Sequence, residues 1–542
     1  MKKTTTVSLL WAIPALAILS FAGQRHGLWG NDEPREAEIA REMYASRDWV
    51  IPCLNGRPFL EKPPLAHLGA ALVFQAAGGP TEAWCRLPSA AWGFAGLLAT
   101  AWLGTMLLGP GAGLLAAFIL ATSVEWLYIT RLLLVDVPLA ACVISSFALF
   151  WAGYTRPGLM KTAGYLGCAL AAGGAFMAKG TVGIAIPLSA IAVYLVFRRE
   201  YGELVRIACS FAVGLAAAAL PWVAMIAARG GRDALRVFLW DNQVLRFFSP
   251  GADHAGPPWF YLAAIFEVLP PWALLLPPAL IGLARHRNET EKEKRGSQFL
   301  IAMVAVPLAL LSIASGKRQL YLLPLMPGLA IAIAQWAAGE WPGLRARCEY
   351  IWMRAGVVLF AVTAGGAWCA ALGVAAAGWF AVGSGIAGAA AALLGSAAIA
   401  RRAFSREGAP GWSMVALAAI AWSAALSPVV GDRIEGSKGY APLTAMLDAN
   451  LRPGDTLYGY MLGERELGVV GFHRQALLPV IDSPEALDTV LRTSGRTVVL
   501  MREKVYEALR EQGALPSSSA VAARCALQHR NQILLRGRHV GE

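Results

Sequence analysis

Residues 7–35 read VSLLWAIPALAILSFAGQRHGLWGNDEPR, an apolar stretch that passes directly into a charged one. The apolar part, 7–28, is long enough to cross the hydrocarbon core of a bilayer as a helix, which takes about 17–25 residues. Lys2 and Lys3 precede it, as in a signal peptide, but it runs too long without a small-residue cleavage site. We therefore predict an uncleaved first span, with carboxylates where it leaves the membrane.

The whole chain is too apolar for a soluble protein of 542 residues, because 57% of its residues are hydrophobic, 15% are charged and the mean hydropathy is +0.51. We therefore predict a membrane all-α fold with about thirteen transmembrane helices. The predicted spans are 7–28, 84–108, 111–130, 134–154, 162–178, 180–197, 205–228, 259–284, 298–314, 318–338, 352–375, 378–400 and 412–430.

Lysine and arginine residues predict the orientation of these spans. Positive residues concentrate in cytoplasmic loops, so the side that carries them is predicted to be cytoplasmic. The N-terminus then lies in the cytoplasm of a bacterium and, after an odd number of spans, the C-terminus lies in the periplasm. This topology also explains the formal charge of +12, and no basic block interleaved with aromatics indicates nucleic acid. The positive loops are 2–3, 156–161, 198–199, 285–295, 345–347 and 401–402.

Three segments on the outer side are too long to be turns: 29–83, 229–258 and everything after 430. Long loops are where binding and catalytic residues concentrate. Within the first segment, residues 33–46 form an amphipathic stretch that begins with a proline. This pattern indicates a helix at the membrane interface or, equally, a solvated loop helix.

Residues 431–542 are predicted to form a small periplasmic α/β domain that follows a transmembrane domain at 1–430. Apolar runs in this part shorten to strand length and alternate with helical patterns. The strand-length runs are 456–460, 469–472, 476–481, 497–501 and 532–535, and the helical patterns are 483–492 and 503–513.

Two carboxylates stand out at the outer ends of spans. Asp32 follows the first span, with Arg35 three positions on and Pro34 fixing the turn between them, whereas the neighbouring Glu33 is expected to be solvated. Asp136 lies in an otherwise apolar span, where an ionisable side chain is costly and therefore indicates function. A helix N-cap is the structural alternative for Asp136.

Cations also occupy predicted outer ends, where the positive-inside trend disfavours them. Lys62 lies in the first outer segment, and Lys179, Arg246 and the pair Lys317-Arg318 lie near later spans. A phosphate or diphosphate would balance several converging cations. For any single one of them, snorkelling to lipid headgroups is the alternative.

An outer cavity that holds two carboxylates, several cations and Tyr321 suits displacement of a phosphate leaving group from a sugar. The cations would stabilise charge developing on the phosphate, and a carboxylate would deprotonate or orient the attacking group. The sequence has no nucleotide-binding fingerprint and no Walker motif, which favours a lipid-linked donor. A lipid-carrier transporter or flippase is the other class with many spans, but the hydropathy has no evident two-fold repeat.

A succession of motifs resembles, in the same order, that of the aminoarabinose transferases and their relatives in the protein mannosyltransferase group. The resemblance extends from residue 7 to about residue 430. The motifs are DEPREAEIAREM at 32–43, DWVIP at 48–52, FLEKPP at 59–64, MAKG at 177–180, FLW at 238–240, Arg246-Phe247, His254 before PPWFY at 257–261, and SGK at 315–317 with Tyr321.

This resemblance implies the C-type glycosyltransferase fold and a sugar donor carried on polyprenyl (undecaprenyl) phosphate. For the namesake enzymes the sugar is 4-amino-4-deoxy-L-arabinose and the acceptor is a lipid A phosphate, reached from the periplasm. Transfer to a protein or to another envelope glycan is the closest alternative. The reaction is expected to be inverting and to be carried out by a monomer among membrane lipids, with no obligatory metal.

By residue match, Asp32 and Asp136 are the implied catalytic carboxylates, and Glu61 is a candidate ligand for a divalent metal. One position departs from the family pattern: Glu36 stands where a tyrosine is usual, which places a negative charge near the proposed phosphate. The implied carrier-phosphate and donor residues are Arg35, Lys62, Lys179, Arg246, Lys317 and Tyr321.

The eight cysteines are scattered and form no CxxC pair, so neither a zinc module nor a disulfide scaffold is indicated. Cys53 and Cys85 would share an oxidising compartment if the first outer segment is periplasmic. Nothing in the sequence fixes their geometry, so both the bonded and the free state stay open.

Overall fold

The computed structural model describes residues 26–245, 256–285, 290–338 and 438–537, apart from 271, 494–495, 516–518 and 528–529, together with a few residues before 22 and 435–436. The predicted spans at 352–375, 378–400 and 412–430 lie outside the described residues, as does most of the span at 7–28.

The first part of the chain is a helical bundle. Its central helix, α6, is buried along nearly its whole length and packs against α7 and α3. A two-residue hairpin, β1 (Cys53–Leu54) and β2 (Arg57–Pro58), follows α1. The helices are α1 (Glu33–Ser46), α2 (Leu65–Ala77), α3 (Glu82–Leu108), α4 (Pro110–Ala121), α5 (Val124–Ile129), α6 (Asp136–Tyr154), α7 (Leu159–Lys179), α8 (Thr181–Phe197), α9 (Tyr201–Leu235), α10 (Phe260–Val268), α11 (Leu276–Arg285), α12 (Glu291–Ile313) and α13 (Met326–Ala338).

Five helical stretches in the described part of the chain are long and apolar enough to cross a membrane. A multi-pass, all-α membrane fold is therefore confirmed, and the count of thirteen spans stays a prediction. The five stretches are Glu82–Leu108, Asp136–Tyr154, Tyr201–Gln243, Glu291–Ile313 and Gln319–Ala338.

Two predicted spans are interrupted. The span at 111–130 breaks between α4 and α5, where the hydroxyls of Thr122 and Ser123 donate to Phe118 O and Ile119 O in the preceding turn. Ser and Thr side chains that bond back in this way compete with the helical backbone. The span at 259–284 breaks after Val268 and continues as a 3₁₀ turn and α11, and Pro270 O accepts from Val124 N at 2.9 Å. This hydrogen bond joins the two breaks, because Val124 begins α5 and Pro270 follows α10.

Helix α1 begins and ends where the amphipathic stretch predicts, but the solvated-helix alternative is wrong. Its charged face is covered by α15 (Glu464–Arg474) of the C-terminal part. The approach is so close that a Cβ on Gly468 would lie 2.6 Å from the carbonyl of Pro34. The buried charged side chains of α1 are Glu33, Glu36, Glu38, Arg41 and Glu42.

The C-terminal part is built on a five-stranded mixed sheet with strand order β4-β3-β5-β7-β6. Strand β3 runs parallel to β4 and β5, whereas β7 pairs antiparallel with β5 and β6. An apolar cluster covers each face of the sheet. The elements are α14 (Ala441–Asn450), β3 (Thr456–Tyr460), α15, β4 (Val480–Ile481), α16 (Pro484–Thr493), β5 (Thr497–Arg502), α17 (Glu503–Glu511), β6 (Ser519–Cys525) and β7 (Gln532–Gly537).

The predicted strands at 456–460, 497–501 and 532–535 and both predicted helices are present, and the run at 476–481 is reduced to β4. The predicted strand at 469–472 is wrong, because these residues lie within α15. Gly463 is the N-cap of that helix, and its backbone N–H donates to Glu466 Oε2 at 3.1 Å. The helix buries apolar side chains both toward the sheet and toward α1. Burial on two sides produces a continuous apolar run that mimics a strand.

Cys53 and Cys85 are both free thiols. Cys85 is fully buried in α3, with its thiol directed to Glu82 O at 3.0 Å, and Cys53 lies in the hairpin beyond α1. Of the two states that the sequence leaves open, the structure has the unbonded one.

Candidate active site

The segment that carries Asp32 is anchored by its neighbour Glu33. The carboxylate of Glu33 accepts from Arg86 Nε at 2.7 Å, from Trp29 N at 2.7 Å and from Leu133 N at 3.2 Å. The side chains of Glu33 and Arg86 are fully enclosed, so the expectation that Glu33 is solvated is wrong. This buried ion pair ties the first outer segment to α3 and to the residues just before α6.

Asp32 stands at the N-cap of α1 but makes no capping hydrogen bond with its side chain. Its carboxylate instead accepts from Arg318 Nη2 at 2.7 Å and from Arg35 Nη2 at 3.2 Å. Burial alone would raise the pKa of Asp32, but Arg318, Arg35 and Lys62 outweigh it and hold that pKa below its ordinary value. Asp32 is therefore ionised at neutral pH and is balanced by cations.

Glu36 is at the centre of a buried charged cluster that shares Arg35 with Asp32. It accepts from Arg35 at 2.8 Å, from Lys62 Nζ at 3.0 Å and from His67. Burial would raise the pKa of Glu36, but Lys62, Arg35 and His67 hold it well below its ordinary value. The negative charge that departs from the family pattern is thus neutralised inside the protein, and it fixes Lys62 and Arg35 in place.

Asp136 and Lys179 form a second ion pair, between the start of α6 and the end of α7. Val135 occupies the N-cap position and Asp136 is the first residue of α6, so the N-cap alternative is wrong. Lys179 Nζ lies 4.4 Å from the centre of the Tyr321 ring, a cation–π contact. Arg318 interacts electrostatically with both Asp32 and Asp136, which places the two ion-paired carboxylates around one cation.

A cavity of about 580 Å³ opens beside Asp32, between the helical bundle and the C-terminal part. Asp32 and Arg318 belong to its wall, whereas Arg35, Lys62 and Lys179 do not line it. Asp32 therefore belongs both to the wall of this cavity and to the charged cluster with Arg35 and Lys62.

Sequence comparison identifies relatives for part of the chain. Residues 61–227 match the family described as dolichyl-phosphate-mannose-protein mannosyltransferase. An undecaprenyl phosphate-alpha-4-amino-4-deoxy-L-arabinose arabinosyl transferase from Aeromonas salmonicida is 31% identical over 60% of this chain, and one from Edwardsiella ictaluri is 32% identical over 57%. The chain spans 59% and 55% of the length of these two relatives.

The fold can be compared over nearly the whole chain. The crystal structure of ArnT from Cupriavidus metallidurans bound to undecaprenyl phosphate superposes with a TM-score of 0.77 at 20% identity, covering 98% of each chain. The chain has the fold of this ArnT structure. The resemblance predicted from the motifs is confirmed, and so is the C-type glycosyltransferase fold.

Lys317 makes different contacts from those that its motif predicts. It is buried, and its Nζ donates to Ser312 O at 3.0 Å and to Ala314 O at 2.5 Å, so it closes the end of α12. Orphan carbonyls at a helix end commonly take up such donors. The next residue, Arg318, donates to Asp32. The place of Lys317 in the phosphate site stays a prediction.

Among the other predicted site residues, Arg246 lies outside the described residues. Glu61 interacts electrostatically with Arg35 and Lys62, an environment that suits a carboxylate–cation network better than a metal site. Within the described ranges, no group of three or more His, Cys, Asp or Glu side chains converges as a metal site would require. The metal ligand at Glu61 stays a prediction.

Sequence reasoning named Arg318 in the pair Lys317-Arg318 but assigned only Lys317 to the site, because adjacency does not tell which of two cations points to the carboxylate. It missed other side chains that shape the site. His67 and Arg86 had no such signal, since each lies in a mostly apolar helix, 31 or 53 residues from its partner.

Proposed function

We propose that this chain is an integral membrane glycosyltransferase that moves 4-amino-4-deoxy-L-arabinose from undecaprenyl phosphate to a phosphate of lipid A. Two lines support this proposal: the ArnT-like fold and the named activity of the sequence relatives. The observation that carries it is the Asp32 carboxylate held between Arg318 and Arg35, with Lys62 beside them.

In the proposed reaction, an oxygen of the acceptor phosphate attacks the anomeric carbon of the sugar. The bond between that carbon and the carrier phosphate breaks, and undecaprenyl phosphate leaves with one more negative charge. Arg35, Lys62 and Lys179 are suited to stabilise that charge, since cations fixed in advance need no reorganisation as the charge develops. Attack opposite the leaving group inverts the configuration of the sugar.

Asp32 is proposed to orient the donor and to stabilise positive charge on the sugar in the transition state. A phosphate acceptor is already anionic and needs no general base. Asp136 is proposed to hold Lys179 in position. A hydroxyl acceptor would instead require Asp32 to accept a proton.

A second candidate is transfer of a polyprenyl-linked sugar to a protein or another envelope glycan. The match of residues 61–227 to the dolichyl-phosphate-mannose-protein mannosyltransferases favours it. The shared part of the two functions is the lipid-phosphate donor, and they differ only in the acceptor.

The orientation follows from the positive-inside pattern. We place the N-terminus in the cytoplasm, and we place residues 431–542, as a separate domain, in the periplasm beside the active site. A monomer surrounded by membrane lipids is the expected state.

The test is mass spectrometry of lipid A from a bacterial host that lacks its own transferase. Complementation with this chain is expected to add the mass of one aminopentose to lipid A, and Asp32→Asn is expected to abolish the addition. Unmodified lipid A in the presence of well-expressed wild-type protein would contradict the lipid A assignment and favour the second candidate.

A further inference from the structure

The cavity beside Asp32 is built by two distant parts of the chain. The bundle contributes the residues around Asp32 and Arg318, which precedes a 3₁₀ helix at Gln319–Leu325. The C-terminal part contributes α15 and the loop before β7. Its volume of about 580 Å³ falls within the range of small-molecule sites. The lining residues with charged side chains are Asp32, Glu33, Glu125, Arg318, Lys438, Arg465, Glu466 and Arg530.

Two of the carboxylates in this lining are neutralised from outside the cavity. Glu33 is bound by Arg86, and Glu466 accepts from Arg502 Nη2 at 3.0 Å. Glu125 is the remaining carboxylate apart from Asp32, and it interacts electrostatically with Lys438. The lining charge that remains without a counter-charge is therefore positive, and the C-terminal part supplies it.

Arg465 and Arg530 supply that charge. The Nε of Arg465 is buried and has no hydrogen-bond partner among the described residues, whereas Arg530 comes no closer than 4.0 Å to Glu466. Both arginines line the same cavity as Asp32 and Tyr440. A buried guanidinium donor without a partner is costly unless a ligand satisfies it.

The lining of the cavity indicates which of the two substrates it would hold. In-line displacement requires the attacking group to approach the reacting carbon from the side opposite the leaving group. Asp32 and Arg318 line the cavity, whereas Lys62 and Lys179, which suit the leaving phosphate, do not, so an acceptor phosphate in the cavity could reach Asp32 without occupying these two lysines.

We infer that this cavity binds the anionic, phosphate-bearing headgroup of the acceptor, with Arg465 and Arg530 contacting its phosphate. The inference rests on the proposed function and extends it by naming the acceptor site. It assigns to the C-terminal part the recognition of a phosphorylated sugar lipid. Planar guanidinium groups suit this task because each can donate two parallel hydrogen bonds to two oxygens of one phosphate.

The test is equilibrium binding of purified lipid A to the full-length protein in detergent, which does not depend on turnover. The double variant Arg465→Ala/Arg530→Ala is expected to bind lipid A roughly 10- to 100-fold more weakly, the size expected from losing charge-assisted hydrogen bonds. Dephosphorylated lipid A should bind the wild type as weakly as lipid A binds the variant. The matched control is Arg474→Ala, an exposed arginine on the same helix α15 that does not line the cavity.

Undecaprenyl phosphate binding, measured on the same proteins, distinguishes the two sources of phosphate. The inference requires the double variant to bind the carrier as the wild type does. It is overturned if lipid A affinity is unchanged in the double variant, or if carrier affinity falls instead. A wild type that binds lipid A but transfers no sugar to it would defeat the proposed reaction and leave this binding result standing.

Discussion

Asp32 is balanced before any substrate arrives, because Arg318 and Arg35 already donate to its carboxylate. Motif and charge pattern predict Asp32, Arg35 and Lys62 together, since all three lie within one outer segment. They do not predict that Arg318, which is 286 residues from Asp32 in sequence, donates to its carboxylate. A single sequence reports spacing along the chain, whereas this pair is made by folding.

Replacing Arg318 should change the pH dependence of transfer. The pKa of Asp32 lies below its ordinary value, so its carboxylate is charged throughout the neutral and mildly acidic range and is protonated only below the ordinary pKa. Arg318→Gln removes one of the cations that lower this pKa. The acid limb of the rate profile should therefore move to higher pH relative to the wild type.

This prediction is checked by measuring initial rates of transfer from pH 4 to pH 8 for both proteins. Any titration of the acceptor phosphate is common to the two profiles and cancels in their difference. Superimposable profiles would mean that Arg318 does not set the charge of Asp32.

Glu36 should matter for stability more than its departure from the family pattern suggests. It is buried and binds three cationic or titratable partners, so Glu36→Gln leaves Lys62 and Arg35 without their main counter-charge. Breaking a buried ion pair on one side costs about 3–5 kcal/mol. Thermal unfolding in detergent should show a clearly lowered Tm.

Glu464→Gln is the matched control for this change. Glu464 also binds Arg35, at 2.9 Å, but its side chain is 55% exposed, and exposed ion pairs contribute about 0–1 kcal/mol. Equal Tm values for the two variants would show that the buried cluster is not a stabilising unit.

At the scale of elements, sequence periodicity predicts the helices of the bundle well and their interruptions poorly. Long apolar runs locate α3, α6, α7 and α8 within a few residues. The break between α4 and α5 depends on hydroxyls that bond back into the preceding turn. Thr and Ser also occur within unbroken membrane helices, so the residues alone do not mark this break.

The turn between α7 and α8 positions Lys179, and it depends on glycine. Gly180 has a φ of +74°, and a Cβ there would collide with the side chain of Gln243, whose oxygen accepts from Thr181 N at 2.9 Å. We expect Gly180→Ala to displace Lys179 and to weaken undecaprenyl phosphate binding by roughly 10-fold, since a strained left-handed residue costs about 1–2 kcal/mol. Equilibrium binding of the carrier to the purified protein measures this.

Gly202→Ala serves as the control for that variant. Gly202 lies in the first turn of α9, and a Cβ there would meet nothing within 4 Å. Alanine in a helix is neutral or stabilising relative to glycine, so carrier binding should be unchanged. Equal carrier affinity in Gly180→Ala and the wild type would show that the turn does not position Lys179.

At the scale of the whole molecule, the C-terminal part and the first outer segment form one body around the site. Gly468 and Gly471 in α15 allow that helix to lie directly on α1, against Pro34 and Glu38. The sequence predicts an α/β region after residue 430, but it gives no indication that this region covers the active-site helix. That contact joins residues more than 400 positions apart, and no sequence motif marks it.

Gly468→Val should separate these two parts. The added side chain would meet the backbone of Pro34 and Arg35, so α15 must move away from α1. We expect transfer activity to fall by roughly two orders of magnitude, because small displacements of a catalytic group have effects of this size. Limited proteolysis should release the C-terminal part more readily than in the wild type.

Ala508→Val provides the comparison, because Ala508 is exposed on α17 of the same domain. This variant should retain wild-type activity and protease resistance. Full activity in Gly468→Val would contradict a catalytic need for the contact between α1 and α15.

The most direct test of the central claim, that Asp32 acts on the sugar while neighbouring cations hold the carrier phosphate, is a single-turnover assay with the purified full-length protein. Undecaprenyl phosphate-linked aminoarabinose and lipid A are the substrates, and carrier affinity is measured on the same samples. Asp32→Asn should slow formation of modified lipid A by about 100- to 1,000-fold, as expected for loss of transition-state charge stabilisation, with carrier affinity unchanged. A variant that binds the carrier normally and transfers the sugar within a few-fold of the wild-type rate would contradict the account.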